Sequence, residues 1–158
     1  MTQSANLDDA NMILVFRLEG EAFGVSVGIV HEILDPLDPT PVPNADPFAP
    51  GVINVRGVVV PVVNIRRRLG MSAEQSCDTA RMIVLEHTID GSPTKLAFLA
   101  DAVEQVVEAD VTTLEKVPDL GASWPQTFLK GALRREDEMV ILLETETLFV
   151  PCLPASAA

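Results

Sequence analysis

Apolar residues recur at every second position along most of this chain. From Met12 to Glu19, Leu14, Phe16 and Leu18 share one face while Arg17 and Glu19 take the other. That alternation predicts a half-buried strand. Glu19-Gly20-Glu21 makes a turn, and Ala22–Val27 returns with Phe23, Val25 and Val27 inward. Gly24, Ser26 and Gly28 fall on the opposite side, where something packs close or the surface is thin. From Ile29 to Leu34 the period changes: Ile29, Val30, Ile33 and Leu34 are spaced for one side of a short helix, with His31 and Glu32 outward. Further on, Met82–Ile89 and Leu96–Leu99 flank an Asp90-Gly91 turn signal. Val103, Val106, Val107 and Val111 interleave with Glu104, Glu108 and Asp110, as in a strand with an acidic outer face. Phe128–Leu133 and Met139–Leu143 predict a last hairpin, and Glu144–Val150 a terminal helix closed by Pro151. Short strands without a βαβ rhythm describe an all-β barrel or sandwich with a few short helices.

The most informative stretch is Gly51–Gly70, GVINVRGVVVPVVNIRRRLG. Two β-branched runs meet at Arg56-Gly57, a joint where glycine supplies the backbone freedom of a tight turn. Pro61 has no N–H for a ladder, so the second run is an edge or is bent. Asn64 is placed to cap a short helix, Ile65–Leu69, stopped by Gly70. Ahead of it, residues 35–50 hold six of the twelve prolines and form the best internal break. Prolines 39, 41 and 43 favour extended backbone along a barrel edge.

Charge and composition narrow the function. A net charge of −12 argues against a general nucleic-acid or anionic-membrane binder, which needs a basic field. Arg66, Arg67 and Arg68 are the one basic run, either a local patch or a solvated face. Residues 1–11 read as a mobile arm without the features of a secretory signal, and 153–158 as a fraying tail. The expected compartment is the cytoplasm, with Cys77 and Cys152 as reduced thiols. No apolar run is long enough to span a bilayer.

Chemical motifs are few. Gly24–Gly28 reads G-V-S-V-G, a nominal nucleophile elbow, but the parallel sheet that would strain Ser26 is not predicted. Its partner would have to be His31 or His87. Neither histidine belongs to a zinc-ligand pattern, and no phosphate loop is present. A binding module is therefore favoured over an enzyme, with a small serine hydrolase at Ser26 as the rival from another class. No cofactor or metal is implied.

Gly51–Gly70 resembles the signature of the CheW family, the adaptors of bacterial chemotaxis, which typically reads G-V-I-N-L-R-G-x-V-V-P-V-V-D-L-R-x-R-L-G. Thr40–Gly51 is similar to the family's T-P-V-P-N-A-P-x-F-x-x-G lead-in. The likeness runs from about Met12 to Phe149 and weakens after Asp110. Asn64 stands where the family has Asp, and Ala97 and Ala102 where it often has Gly. The resemblance implies a domain over 12–152 made of two intertwined five-stranded antiparallel barrels sharing a third apolar core. It implies a non-enzymatic adaptor coupling methyl-accepting chemoreceptors to the histidine kinase CheA, through the kinase's regulatory domain and the receptors' cytoplasmic tip. Other CheW-like modules are further possible partners, and a non-motility chemosensory pathway is the alternative setting. Carried over by motif position, Val30, Glu32, Gly51, Arg56 and Gly57 are the expected partner contacts.

Overall fold

The computed structural model describes residues 12–45, 47–71, 78–89, 91–109, 114–117, 125–135 and 137–149. The N-terminal arm, the tail, Trp124 and both cysteines lie outside these residues.

Among the described residues eleven strands form two sheets. One holds β1 (Met12–Leu18), β2 (Glu21–Ser26), β9 (Ala102–Glu108), β10 (Leu129–Arg135) and β11 (Glu138–Leu143) in the order β10-β11-β2-β1-β9. The other holds β3 (Val30–Leu34), β4 (Thr40–Pro41), β5 (Gly51–Val55), β6 (Val58–Val62), β7 (Arg81–Ile89) and β8 (Ser92–Ala100), in the order β3-β7-β8-β6-β5-β4. Among the described residues the short helices are α1 (Ile65–Arg68) and α2 (Thr145–Leu148), with 3-10 turns at Val27–Ile29 and Gln126–Phe128. The six-stranded sheet is thus inserted between β2 and β9, and the proline-rich stretch lies within it, between β3 and β5.

The all-β class with few short helices holds, with two departures. Neither sheet closes into a barrel. On the six-stranded sheet both edges are poor templates: β4 is two residues long among prolines without an N–H, and β3 is bulged between Val30 and Glu32. Nor is the pairing wholly antiparallel, since β11 meets β2, and β6 meets β8, in short parallel contacts where the chain re-enters a sheet.

Three apolar clusters explain the sequence pattern. Between the sheets lies the largest, with Leu14, Phe16, Phe23 and Ile141 from one side and Ile65, Ile83, Leu85 and Phe98 from the other. Phe16 bridges the two, its ring 6.3 Å from Phe23 and 5.2 Å from Phe98. The five-stranded sheet also curls around Ile13, Val15, Val107, Val140 and Leu142, and the six-stranded sheet around Ile53, Val60, Val62, Met82 and Val84. β1 and β7 consequently bury both faces, and β1 is not the half-buried strand its alternation suggests. Gly24 sits inside the first curl: a Cβ there would lie 2.6 Å from Ile13 Cγ2 and 2.9 Å from Leu142 Cδ2.

The helix expected over Ile29–Leu34 is absent. A 3-10 turn occupies Val27–Ile29 and the remainder is edge strand β3, pairing with β7. An apolar i, i+1, i+4, i+5 spacing is also what a bulged strand produces, because the extra residue moves the later side chains to the other face.

Candidate docking site

The β5–β6 hairpin turns on two residues, Arg56 at φ 51° and Gly57 at φ 86°. Two positive φ values make this the primed turn whose twist suits a hairpin. Asn54 stabilises it, Oδ1 accepting from the Gly57 N–H at 2.8 Å. Arg56 occupies a left-handed conformation that an L-residue adopts at a cost of about 1 kcal/mol. Its side chain is 68% exposed and donates through Nη2 to Glu32 Oε1.

Glu32 reaches that position through the β3 bulge. Val30 lies opposite Leu85 and Glu32 opposite Val84, one residue further on β7. Directly opposed residues share a face. Val30 therefore packs on the core between the sheets, and Glu32 faces the six-stranded sheet's own core. His31, in the bulge, lies 3.7 Å from Glu86 Oε1 and 4.0 Å from Glu32 Oε2.

The five expected contacts thus divide. Glu32, Arg56 and Gly57 meet at the hairpin tip. Gly51 is at the hairpin's other end, where a Cβ would stand 2.9 Å from Thr40 O and 3.0 Å from Pro39 Cβ, so its bareness lets β4 lie against β5. Val30 is half-buried, on the opposite face from Glu32. Two residues not singled out from sequence stand beside the tip: Val58 and Val59, 46% and 63% exposed. The signal available was their position directly after a two-residue turn, where a hairpin outruns its neighbours.

The basic run is no single patch. Asn64 caps α1 as expected, Oδ1 accepting from the Arg67 N–H, and Gly70 follows at φ 72°. Around that one turn the three arginines diverge. Arg66 is buried, Arg67 is exposed, and Arg68 lies over the Phe48 and Phe128 rings at 4.2 and 5.4 Å.

Another arginine organises the opposite sheet. Arg17 forks onto Glu104 and Glu138, with N–O distances of 2.7–3.1 Å, and donates to Gly20 O. The Glu138 hydrogen bonds, then those of Glu104, raise the guanidinium pKa well above its usual value, and Arg17 in turn lowers that of Glu138.

Ser26 caps the 3-10 turn, its Oγ accepting from the Gly28 N–H at 3.2 Å. Its backbone, at φ −63° and ψ 133°, is ordinary extended chain and not a strained elbow. It lines an open hollow of about 240 Å³ with Ile13, Gly24, Lys130 and Glu144. His87 Nε2 lies 3.4 Å from Thr145 Oγ1. Among the described residues no group of three or more His, Cys, Asp or Glu is placed to hold a metal, and no helix is long and apolar enough to cross a membrane.

A family model described as CheW-like domain matches residues 12–150. The chain belongs to the CheW-like family. It is 31% identical over 137 residues to the chemotaxis protein CheW of Rhizobium meliloti, covering 87% of this chain and 86% of that one. To the probable chemotaxis protein CheW of Rhizobium etli it is 29% identical over 147 residues, covering 93% and 92%. The crystal structure of the scaffolding protein TtCheW from Thermoanaerobacter tengcongensis superposes with a TM-score of 0.76 at 29% identity, covering 89% of this chain and 88% of that one. CheW-like proteins are scaffolds and adaptors of chemotaxis, not enzymes, and the serine-hydrolase alternative falls with that membership.

Proposed function

We propose that this chain couples methyl-accepting chemoreceptors to a CheA-type histidine kinase, docking on the kinase's regulatory domain and on the cytoplasmic tip of the receptors. It works in the cytoplasm and is recruited to the inner face of the membrane through those receptors. Val30, Glu32, Gly51, Arg56 and Gly57 are the proposed partner-contacting set, two of them in supporting roles: Gly51 seats β4 and Val30 anchors β3 on the shared core.

The observation that supports this best is the surface at the β5–β6 turn. A highly exposed guanidinium is held by a carboxylate, on a rigid two-residue turn, next to two exposed valines. Apolar side chains beside a planar, fork-shaped cation suit a protein interface. The pair itself is too exposed to contribute much to folding.

Arg56→Glu tests the reading. With purified kinase and receptor fragments, the variant is expected to lose at least tenfold in kinase affinity while its melting temperature stays within a few degrees of the parent. Binding that falls only in proportion to unfolded protein would remove Arg56 from the interface.

A further inference from the structure

Only one residue, Asp101, separates β8 from β9, so it alone carries the chain from the six-stranded sheet to the five-stranded one. Its polar atoms are all engaged. The N–H donates to Arg17 O at 2.9 Å, and the carbonyl accepts from Thr79 Oγ1 at 2.7 Å. Oδ2 accepts from the Glu19 N–H at 2.8 Å, and Oδ1 accepts from Arg66 Nη2. Arg66 Nη1 also lies 3.5 Å from Glu19 Oε2.

Arg66 belongs to α1, which follows β6 and hence the hairpin bearing Arg56. Glu19 belongs to the β1–β2 turn of the other sheet. The cation therefore spans the joint between the sheets. Its side chain is 3% exposed, and among the described residues its Nε finds no acceptor. The other crossing, Val27–Ile29, leaves from the far end of β2.

A buried ion pair adds little stability over apolar side chains of similar volume, but it is directional. The core between the sheets is apolar, and the hydrophobic effect that forms it is non-directional, so it supplies no polar contact that singles out one angle between them. We propose that Arg66 is a positioning residue: through Asp101 and Glu19 it locks the angle between the two sheets, and so fixes where the Arg56 turn stands relative to the five-stranded sheet. This goes beyond the adaptor reading, and its readout needs no partner.

The test uses the full chain with Cys77→Ser and Cys152→Ser, and spin labels on Glu86→Cys of β7 and Gln105→Cys of β9, both exposed positions. Pulsed dipolar spectroscopy reads the distance between the sheets. With Arg66 present a single narrow distribution is expected. In Arg66→Met with Asp101→Asn, which removes the pair without leaving a charge at position 101, the distribution is expected to widen at least twofold or to split. Arg66→Lys, keeping the charge but not the fork, is expected to fall between. An unchanged distribution in the folded double variant overturns the proposal. If the double variant does not fold, the Lys variant decides: broadening supports the lock, while a parental distribution or loss of fold refutes it.

Discussion

Glu32 on β3 and Arg56 on the β5–β6 turn form an ion pair although three strands, β7, β8 and β6, lie between β3 and β5 in hydrogen-bonding order. They meet because the sheet curls around Ile53, Val60, Met82 and Val84 until its far parts face each other. A side-chain contact thus spans a gap that backbone hydrogen bonds leave open.

That relationship separates display from stability. Arg56→Gly removes the cation and relieves a left-handed backbone at φ 51°. Glycine adopts such a φ without penalty. The variant is expected to melt at or slightly above the parental temperature, a gain of up to about 1 kcal/mol offset by the lost pair. Kinase affinity is expected to fall at least tenfold. A thermal melt and a titration against kinase fragment check both halves.

At Gly24, space and not φ is decisive. A new Cβ meets Ile13 Cγ2, which is fixed by a β-branched side chain, and Leu142 Cδ2. Gly24→Ala should destabilise by about 1–3 kcal/mol, the range for overpacking a tight core. Urea denaturation measures it, with the midpoint shifting and the slope unchanged.

Ser26→Ala removes the oxygen that accepts the Gly28 N–H. The expected loss is about 0.5–1 kcal/mol, as for other capping side chains. Kinase coupling should be preserved, and a fluorophosphonate probe should label neither protein.

Acid should weaken the Arg17 fork through Glu138. Because its folded pKa lies below the ordinary 4.5, the folded state holds fewer protons than the unfolded one. The contribution is complete above about pH 4.5 and is lost as pH falls through the lowered value. Arg17, shifted upward, stays charged throughout. Glu138→Gln should therefore be less stable than the parent at pH 7, with the gap closing below pH 4.5. Urea midpoints at several pH values follow it.

The strands were legible because their burial leaves a period of two, and the hairpin because Arg56-Gly57 interrupts two β-branched runs. What stayed hidden was set by distant residues. The β3 bulge mimics helical spacing, and only pairing with β7 distinguishes them. Arg66 reads as one of three like charges, but its burial depends on Asp101 and Glu19, far away in the chain. Likewise the alternation read over β1 and the apolar run of β7 do not reveal that each sheet curls around a core of its own. The proposed contact set rests on family likeness, and its division between the hairpin tip, the β4 seat and the shared core required the fold.

The insertion of β3–β8 between β2 and β9 also dictates an order of assembly. β1 is synthesised before the inserted segment, and its second neighbour, β9, follows only after the whole six-stranded segment. Until then the β1–β2 hairpin has no sheet to join, and a lone hairpin is marginal in water. The inserted segment carries its own apolar cluster and more local pairings, so it should become protected first. The five-stranded sheet is expected to complete last, when β9 and β11 are available to pair with β1 and β2. Pulse-labelled hydrogen exchange during refolding should show β7 and β8 amides protected before those of β1.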